Sequence, residues 1–259
     1  MIGGKKVGVV MPAFNASKTL EIAYREIPIE FVDDIWLVDD GSTDNTFDIA
    51  RQLGLKAIRH QSNAGYGANQ KTCYKAALNA GCDIIVMLHP DYQYSPKLIP
   101  AIVTLLVYGP YDVVLGSRIL TGGALKGGMP LHKYVFNRIL TYAQNTAWHT
   151  KISEFHTGFR AFKKEVLETI DFQANDDDYV FDNQIIAQIL WHGFEIGEIS
   201  CPTLYFPQAS SISLRRSFTY GFGVLRTTLE LMSARAGIMC PSYLNKERFE
   251  ARKRHHWIV

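Results

Sequence analysis

The sequence predicts an α/β fold: one domain on a mostly parallel central sheet flanked by helices, with a helical C-terminal tail. Three observations carry that expectation. Short β-type runs alternate with helical patterns through the first half of the chain, which is how βαβ units read. Residues 83–88 (DIIVML) are almost wholly apolar, as a strand covered on both faces must be. The chain has 259 residues, 47% hydrophobic and 20% charged, enough to bury a large core without disulfide or metal staples. The same numbers exclude a disordered chain, and 20 Gly with 10 Pro exclude a collagen-like one.

Taken in order, residues 6–11 (KVGVVM) read as a buried strand and 17–25 as a helix beginning near Ser17. Residues 34–38 (DIWLV) form a second strand, and 44–53 a helix whose entry, Ser42-Thr43-Asp44, is rich in capping groups. A strand at 55–59, a helix at 66–80 closed by Gly81, the strand 83–88, a helix at 96–108 and a strand at 112–115 follow. The second half is less regular. It reads as a glycine-rich connector at 122–128, a helix at 131–148, a turn and strand at 156–162, a helix at 179–192 and a strand at 195–199. A long helix from 214 to about 239 ends the pattern, with Phe218, Phe222, Leu225, Leu229 and Met232 in one apolar seam.

The net charge of +2 is uneven. Residues 215–259 carry nine Lys/Arg against three Asp/Glu, a balance of +6, and the body sums to about −4. A basic end suits an anionic partner such as a membrane surface, or else a solvated helix. The four scattered cysteines make neither a zinc pattern nor a disulfide framework. Neither a signal-peptide core nor an apolar run of the roughly 20 residues that span a bilayer is present, so a cytoplasmic chain is expected.

In parallel sheets, ligands bind beyond the carboxyl ends of the strands. Three such exits carry polar groups: 12–15, 39–44 and 89–93. Asp39 and Asp40, leaving a buried strand before Gly41, suit hydrogen bonding to a base or ribose, while Asp44 suits a helix cap. At 89–93 (HPDYQ), Asp91 and Gln93 offer hard oxygen ligands for Mg²⁺ or Mn²⁺ on a diphosphate. An extended course there would aim His89, Asp91 and Gln93 the same way. The segment 63–68 (NAGYGA) has two glycines of a dinucleotide fingerprint, but Gln70 holds the third place, so the glycines suit close approach of a helix N-terminus to a ligand.

In order, these segments resemble the family 2 glycosyltransferases, nearest the dolichyl-phosphate mannose synthase branch. The resemblance runs from about residue 7 to 214 through MPAFN at 11–15, VDDGSTDNT, N-x-G-x-G-A at 63–68 and HPDYQ in place of D-A-D-x-Q. It continues through Gly116-Ser117-Arg118 and TGFRAF at 157–162. It implies a GT-A fold over 1–214, with a nucleotide-sugar half at 1–115, an acceptor half at 116–214 and a tail at 215–259. The implied reaction is inverting, metal-dependent transfer from a UDP- or GDP-sugar, with a polyprenyl phosphate as one acceptor. Pro12, Phe14, Asn15, Asp39, Asp40 and Gly67 would line the nucleotide site, and Asp91, Gln93 and His89 would hold Mn²⁺ or Mg²⁺. Arg118 would steady the diphosphate, and Lys133, Asn137 and Arg160 the acceptor or its phosphate.

The chain departs from the pattern at Ala16, where Glu is usual, at His89, where Asp is usual, and at 206–211 (FPQASS), where an arginine is usual. A hydroxyl acceptor would require a general base, and Asp182 after Phe181 is the first candidate. Asp176, Asp177 and Asp178 read as a solvated helix entry. A hydroxyl-directed transferase and a non-catalytic nucleotide-sugar-binding subunit are the alternatives. Beyond the nucleotide sugar, the implied partners are a lipid-linked phosphate and the inner face of a membrane, not nucleic acid. The terminal helix has three readings: packing on the body, peripheral membrane contact and self-association.

Overall fold

The computed structural model describes residues 2–203 and 214–244. The run 206–211 with Gln208, and the basic residues after 244, lie outside the described residues. The sheet strands are β1 (Val7–Ala13), β2 (Asp34–Asp39), β3 (Lys56–Arg59), β4 (Ile84–Met87), β5 (Val113–Ser117), β6 (Arg160–Lys163) and β7 (Ile196–Ser200). The helices are α1 (Leu20–Arg25), α2 (Thr46–Gln52), α3 (Tyr66–Asn79), α4 (Ile99–Tyr108), α5 (Gly123–Lys126), α6 (Leu131–Trp148), α7 (Lys164–Thr169), α8 (Phe181–Trp191) and α9 (Leu214–Arg235).

The seven strands form one sheet in the order β3-β2-β1-β4-β6-β5-β7. All seven residues of β1 are buried, because it lies inside the sheet with parallel neighbours β2 and β4. That pairing brings the carboxyl ends of β1, β2 and β4 to one edge, as the apolar runs predicted. β6 is the antiparallel member of this mostly parallel sheet, running against both β4 and β5. The chain leaves β5 at the site edge, makes an excursion through α6, and returns to that same edge at residues 153–159. A strand entered from that edge runs backwards between its neighbours. β5 and β7 pair in parallel, so their carboxyl ends share the edge with β1.

Two apolar layers cover the sheet. One gathers Leu20 and Ala23 of α1, Ala50 of α2 and Ile99, Ile102 and Val103 of α4. The other gathers Tyr74 of α3, Trp148 of α6, Phe181 and Ile185 of α8, and Leu231 and Ala234 of α9. The expected glycine-rich connector at 122–128 contains the short α5, entered through Gly122 at φ 69°. α7, also unpredicted, turns the chain directly after β6.

The terminal helix packs by a different face from its apolar seam. Val224, Thr227, Thr228, Leu231 and Ala234 are buried, whereas Phe218, Phe222, Leu225, Leu229 and Met232 are exposed. Trp148 Nε1 donates to Thr228 O and Arg235 donates to Trp148 O, so α6 and α9 lie side by side. The buried Thr228 hydroxyl donates to the helix's own Val224 O, and small residues there let the helices come close.

Candidate active site

The first two strand exits are laced together. Asn15, at φ 52°, accepts from Thr43 N–H through Oδ1, and its own N–H donates to Ser42 Oγ at 2.8 Å. Asp44, expected as a cap, accepts from Thr46 N–H and from Ser17 N–H, tying the entries of α1 and α2 to each other. Pro12 is buried in β1, while Phe14 is half exposed at the rim.

The two acids after β2 have different tasks. Asp40 is spent on the chain: its carboxylate accepts from Ala64 N–H, Gly65 N–H and His60 Nδ1, clamping the loop before α3. Asp39 Oδ1 accepts from Ser42 N–H. Its Oδ2 lies 3.2 Å from Arg59 Nε in an ion pair, but without hydrogen-bond alignment, and is otherwise orphaned. A buried carboxylate oxygen without a hydrogen bond is costly unless something binds it.

Gly67 needs a correction. Its N–H and that of Ala68 donate to Asp177 O at 2.8 and 3.1 Å, so the α3 terminus meets the chain and not a ligand. A Cβ at 67 would lie 2.4 Å from Asp176 O and 2.8 Å from Phe181 Cβ. The triple-Asp run is likewise no solvated entry alone, since Asp177 pairs with Lys71.

The 89–93 segment is a turn and not an extended run, so strict alternation does not apply. Tyr92 stands at φ 60°, Gln93 N–H donates to Asp91 Oδ1, and the Tyr92 hydroxyl bonds Glu26, which lowers that carboxyl's pKa. His89 packs so closely that a Cβ on Gly158 would fall 2.6 Å from its Cδ2. Burial lowers the imidazole's pKa against the pull of Asp91 and Asp182, so His89 is neutral.

Tyr66 links this turn to Asp182. Its hydroxyl donates to Asp182 Oδ2 at 2.8 Å and lies 3.1 Å from His89 Nε2, and its ring stacks on the imidazole. With its proton on Asp182, the hydroxyl accepts from His89 Nε2–H, which makes Nδ1 the lone-pair nitrogen. Asp182 also accepts from Gln70 Nε2 at 3.0 Å and pairs with Arg160 at 3.3 Å. Arg160 itself is fully buried and donates to Thr157 O, Asp182 O and Phe155 O. A desolvated guanidinium must place its donors on the chain, so Arg160 is not a phosphate ligand.

Glu154, which sequence reasoning missed, organises the segment between α6 and β6. It is fully buried, and burial alone would raise its pKa, but Arg118 beside it holds the carboxyl below its ordinary value. Arg118 donates to it from both backbone and side chain, and Asn137 Nδ2 adds a bond at 2.9 Å. Arg118 and Asn137 are therefore committed to an internal acid. Lys133 stands partly exposed on the first turn of α6. His156 Nδ1 meets Tyr220 Oη at 2.7 Å, its Nε2 is buried without a partner, and burial lowers its pKa to about 4. The weak signal for Glu154 was its place two residues before His156 in the segment leading to TGFR.

Among the described residues no three His, Cys, Asp or Glu side chains gather as a metal cage. Mg²⁺ is commonly held by one or two carboxylates plus substrate phosphates, and Asp91 with Gln93 fits that donor chemistry. The sequence model of the Glycosyl transferase family 2 matches residues 8–171. The chain belongs to this family. The transferase is 30% identical to an uncharacterized protein of Methanocaldococcus jannaschii, over 86% of this chain and 91% of that one. It is 28% identical to the UDP-N-acetylglucosamine–dolichyl-phosphate N-acetylglucosaminyltransferase of Methanococcus voltae, covering 78% and 86% of the two chains. It is 26% identical to the polyprenol monophosphomannose synthase of Mycolicibacterium smegmatis, covering 74% of each. Among solved structures, glucosyl-3-phosphoglycerate synthase of Mycobacterium tuberculosis, in complex with Mn²⁺, UDP and phosphoglyceric acid, superposes with a TM-score of 0.69 at 18% identity. That match covers 88% of the transferase and 79% of the synthase. The expected GT-A fold is what these observations show.

Proposed function

We propose that this glycosyltransferase inverts the anomeric centre of a UDP- or GDP-sugar in transferring the sugar to a polyprenyl phosphate. The observation that carries the choice of acceptor is the state of Asp182. A hydroxyl acceptor needs a base within reach, yet this carboxylate is engaged by Arg160, Gln70 and Tyr66. A phosphate acceptor is already ionised and needs little proton removal. The named relatives that use dolichyl phosphate or polyprenol support the same reading.

In this reading Asp39 Oδ2 takes a donor from the nucleoside, and Phe14 and Asn15 shape the rim beside it. Asp91 and Gln93 hold a divalent cation, which when bound neutralises charge on the leaving diphosphate. Neutral His89 presents Nδ1 on the same turn, its tautomer set through Tyr66 by Asp182. Lys133 opens α6 at the acceptor side as a cation for the incoming phosphate. The acceptor oxygen attacks the anomeric carbon as the bond to the diphosphate breaks, and the nucleoside diphosphate leaves.

The test is transfer from UDP- and GDP-sugars to polyprenyl phosphate and, separately, to hydroxyl acceptors. Asp91→Ala is expected to lower kcat/KM by at least about 100-fold, since one well-placed charge contact at the transition state is worth roughly that much. It is also expected to abolish metal-dependent nucleotide binding. Full activity in this variant, or transfer to hydroxyls alone, would overturn the assignment.

A further inference from the structure

Between Asp91 and Gln93 the backbone turns through a residue that does not favour the turn. Tyr92 stands at φ 60°, a left-handed conformation that a bulky side chain takes only where its surroundings hold it. With Tyr92 in that conformation, Gln93 N–H folds back to donate to Asp91 Oδ1 at 3.1 Å. The relative aim of the Asp91 and Gln93 side chains therefore depends on the dihedrals of the one residue between them.

What holds Tyr92 comes from outside the turn. Its ring packs against the apolar layer that gathers α1, α2 and α4. Its hydroxyl donates to the carboxylate of Glu26, the residue that closes the C-terminal end of α1. Glu26 also pairs at 3.1 Å with Lys97, in the short helical turn Pro96–Leu98 that opens α4. Of these two partners the phenol is the stronger hold. Lys97 is 68% exposed, and an ion pair with so exposed a cation contributes little, whereas a phenol donating to a carboxylate makes a charge-assisted bond. The bond lowers the carboxyl's pKa and raises the phenol's, so the acceptor keeps its charge and the donor its proton.

The turn after β4 is thus gripped from both layers of the sheet. On one side Tyr66 of α3 and Asp182 of α8 hold His89, and on the other Glu26 of α1 holds Tyr92. We propose that Glu26 is a positioning residue for the divalent cation. By keeping Tyr92 left-handed through its hydroxyl, Glu26 fixes the aim of Asp91 against Gln93, and so the affinity of the site, without touching cation or substrate. This rests on Asp91 and Gln93 being the cation's ligands.

Calorimetric titration with UDP and with GDP, in Mn²⁺, in Mg²⁺ and in EDTA, separates the cation-dependent part of nucleotide binding from the rest. Tyr92→Phe keeps the ring and removes the donor, and Glu26→Ala removes the acceptor. Each is expected to weaken the cation-dependent part by roughly 10- to 100-fold, the usual effect of removing an outer partner of a metal ligand, and to leave binding in EDTA unchanged. The double variant is expected to lose no more than either single one, because both break the same bond. Glu26→Gln, whose amide oxygen still accepts from the phenol, is expected to recover most of the affinity. Thermal unfolding in EDTA checks that the variants are folded, and Tyr92→Phe decides where Glu26→Ala is not. Unchanged cation-dependent binding in Tyr92→Phe, or an equal loss with and without the cation, would overturn the proposal and leave Glu26 as a tie between α1 and α4. Retention of cation-dependent binding by Asp91→Ala would instead remove the ligand assignment, and the proposal with it.

Discussion

The hydroxyl of Tyr66 stands between His89, at the exit of β4, and Asp182, in the first turn of α8, residues far apart in sequence that meet only in the fold. Removing it separates two roles for Asp182. If Asp182 acts by orienting His89, Tyr66→Phe should lower kcat by roughly 10- to 100-fold and change the preference between Mn²⁺ and Mg²⁺ in nucleotide binding, as loss of an orienting partner does at metal sites. If Asp182 acts as a base, the pH profile of kcat would move instead. Part of this site was legible in sequence: Asp39, Asp91 and Gln93 follow apolar strands, and a strand exit is a local pattern. The roles of Arg160, Asn137 and Arg118 were not legible. Each is a cation or amide whose partner, Asp182 or Glu154, lies 17 to 36 positions away along the chain. No local pattern records which donors a fold will bury.

At the scale of elements, Gly67 shows how a motif changes meaning in context. Its glycines do admit a close approach at the N-terminus of α3, but what approaches is the backbone of 176–177, which accepts the first free N–H groups of the helix. Gly67→Ala is expected to cost roughly 1–3 kcal/mol by overpacking, read as a lower midpoint in denaturant with an unchanged slope. The strand positions and α6 were predictable from apolar runs and periodicity. The direction of β6 was not legible, because it depends on which edge the preceding loop reaches. For the terminal helix the sequence left packing, membrane contact and self-association open; the helix packs on the body, and close packing of α9 on α6 selected Val224, Thr228 and Leu231 for burial instead of the seam.

For the whole molecule, buried titratable groups set the acid limit. His156 faces Glu154, Arg118, Arg160 and Tyr220, and its folded pKa of about 4 lies below the ordinary 6.5. Between those values the unfolded chain binds a proton that the folded chain refuses, so stability falls as pH drops from about 6.5 towards 4. The loss is at most about 3 kcal/mol for a shift of this size. From about 4.5 downwards Glu154, whose pKa is lowered, adds a further loss, because the unfolded carboxyl binds a proton before the folded one does. Thermal unfolding across this window is expected to show the decline, and His156→Gln is expected to flatten its upper part. An unchanged slope in that variant would assign the decline to other groups, His89 first.

The sequence by itself determined the α/β class, the three polar strand exits and the family, because apolar periodicity and ordered motifs are local properties of a chain. Only the tertiary structure decided which polar groups remain for substrate. Burial obliges every donor and acceptor to find a partner, and those partners come from distant parts of the chain. By that requirement Asp40, Arg160 and Asn137 were spent on the scaffold, Asp39 Oδ2 was left without a hydrogen bond, and the apolar seam of the terminal helix was turned outward.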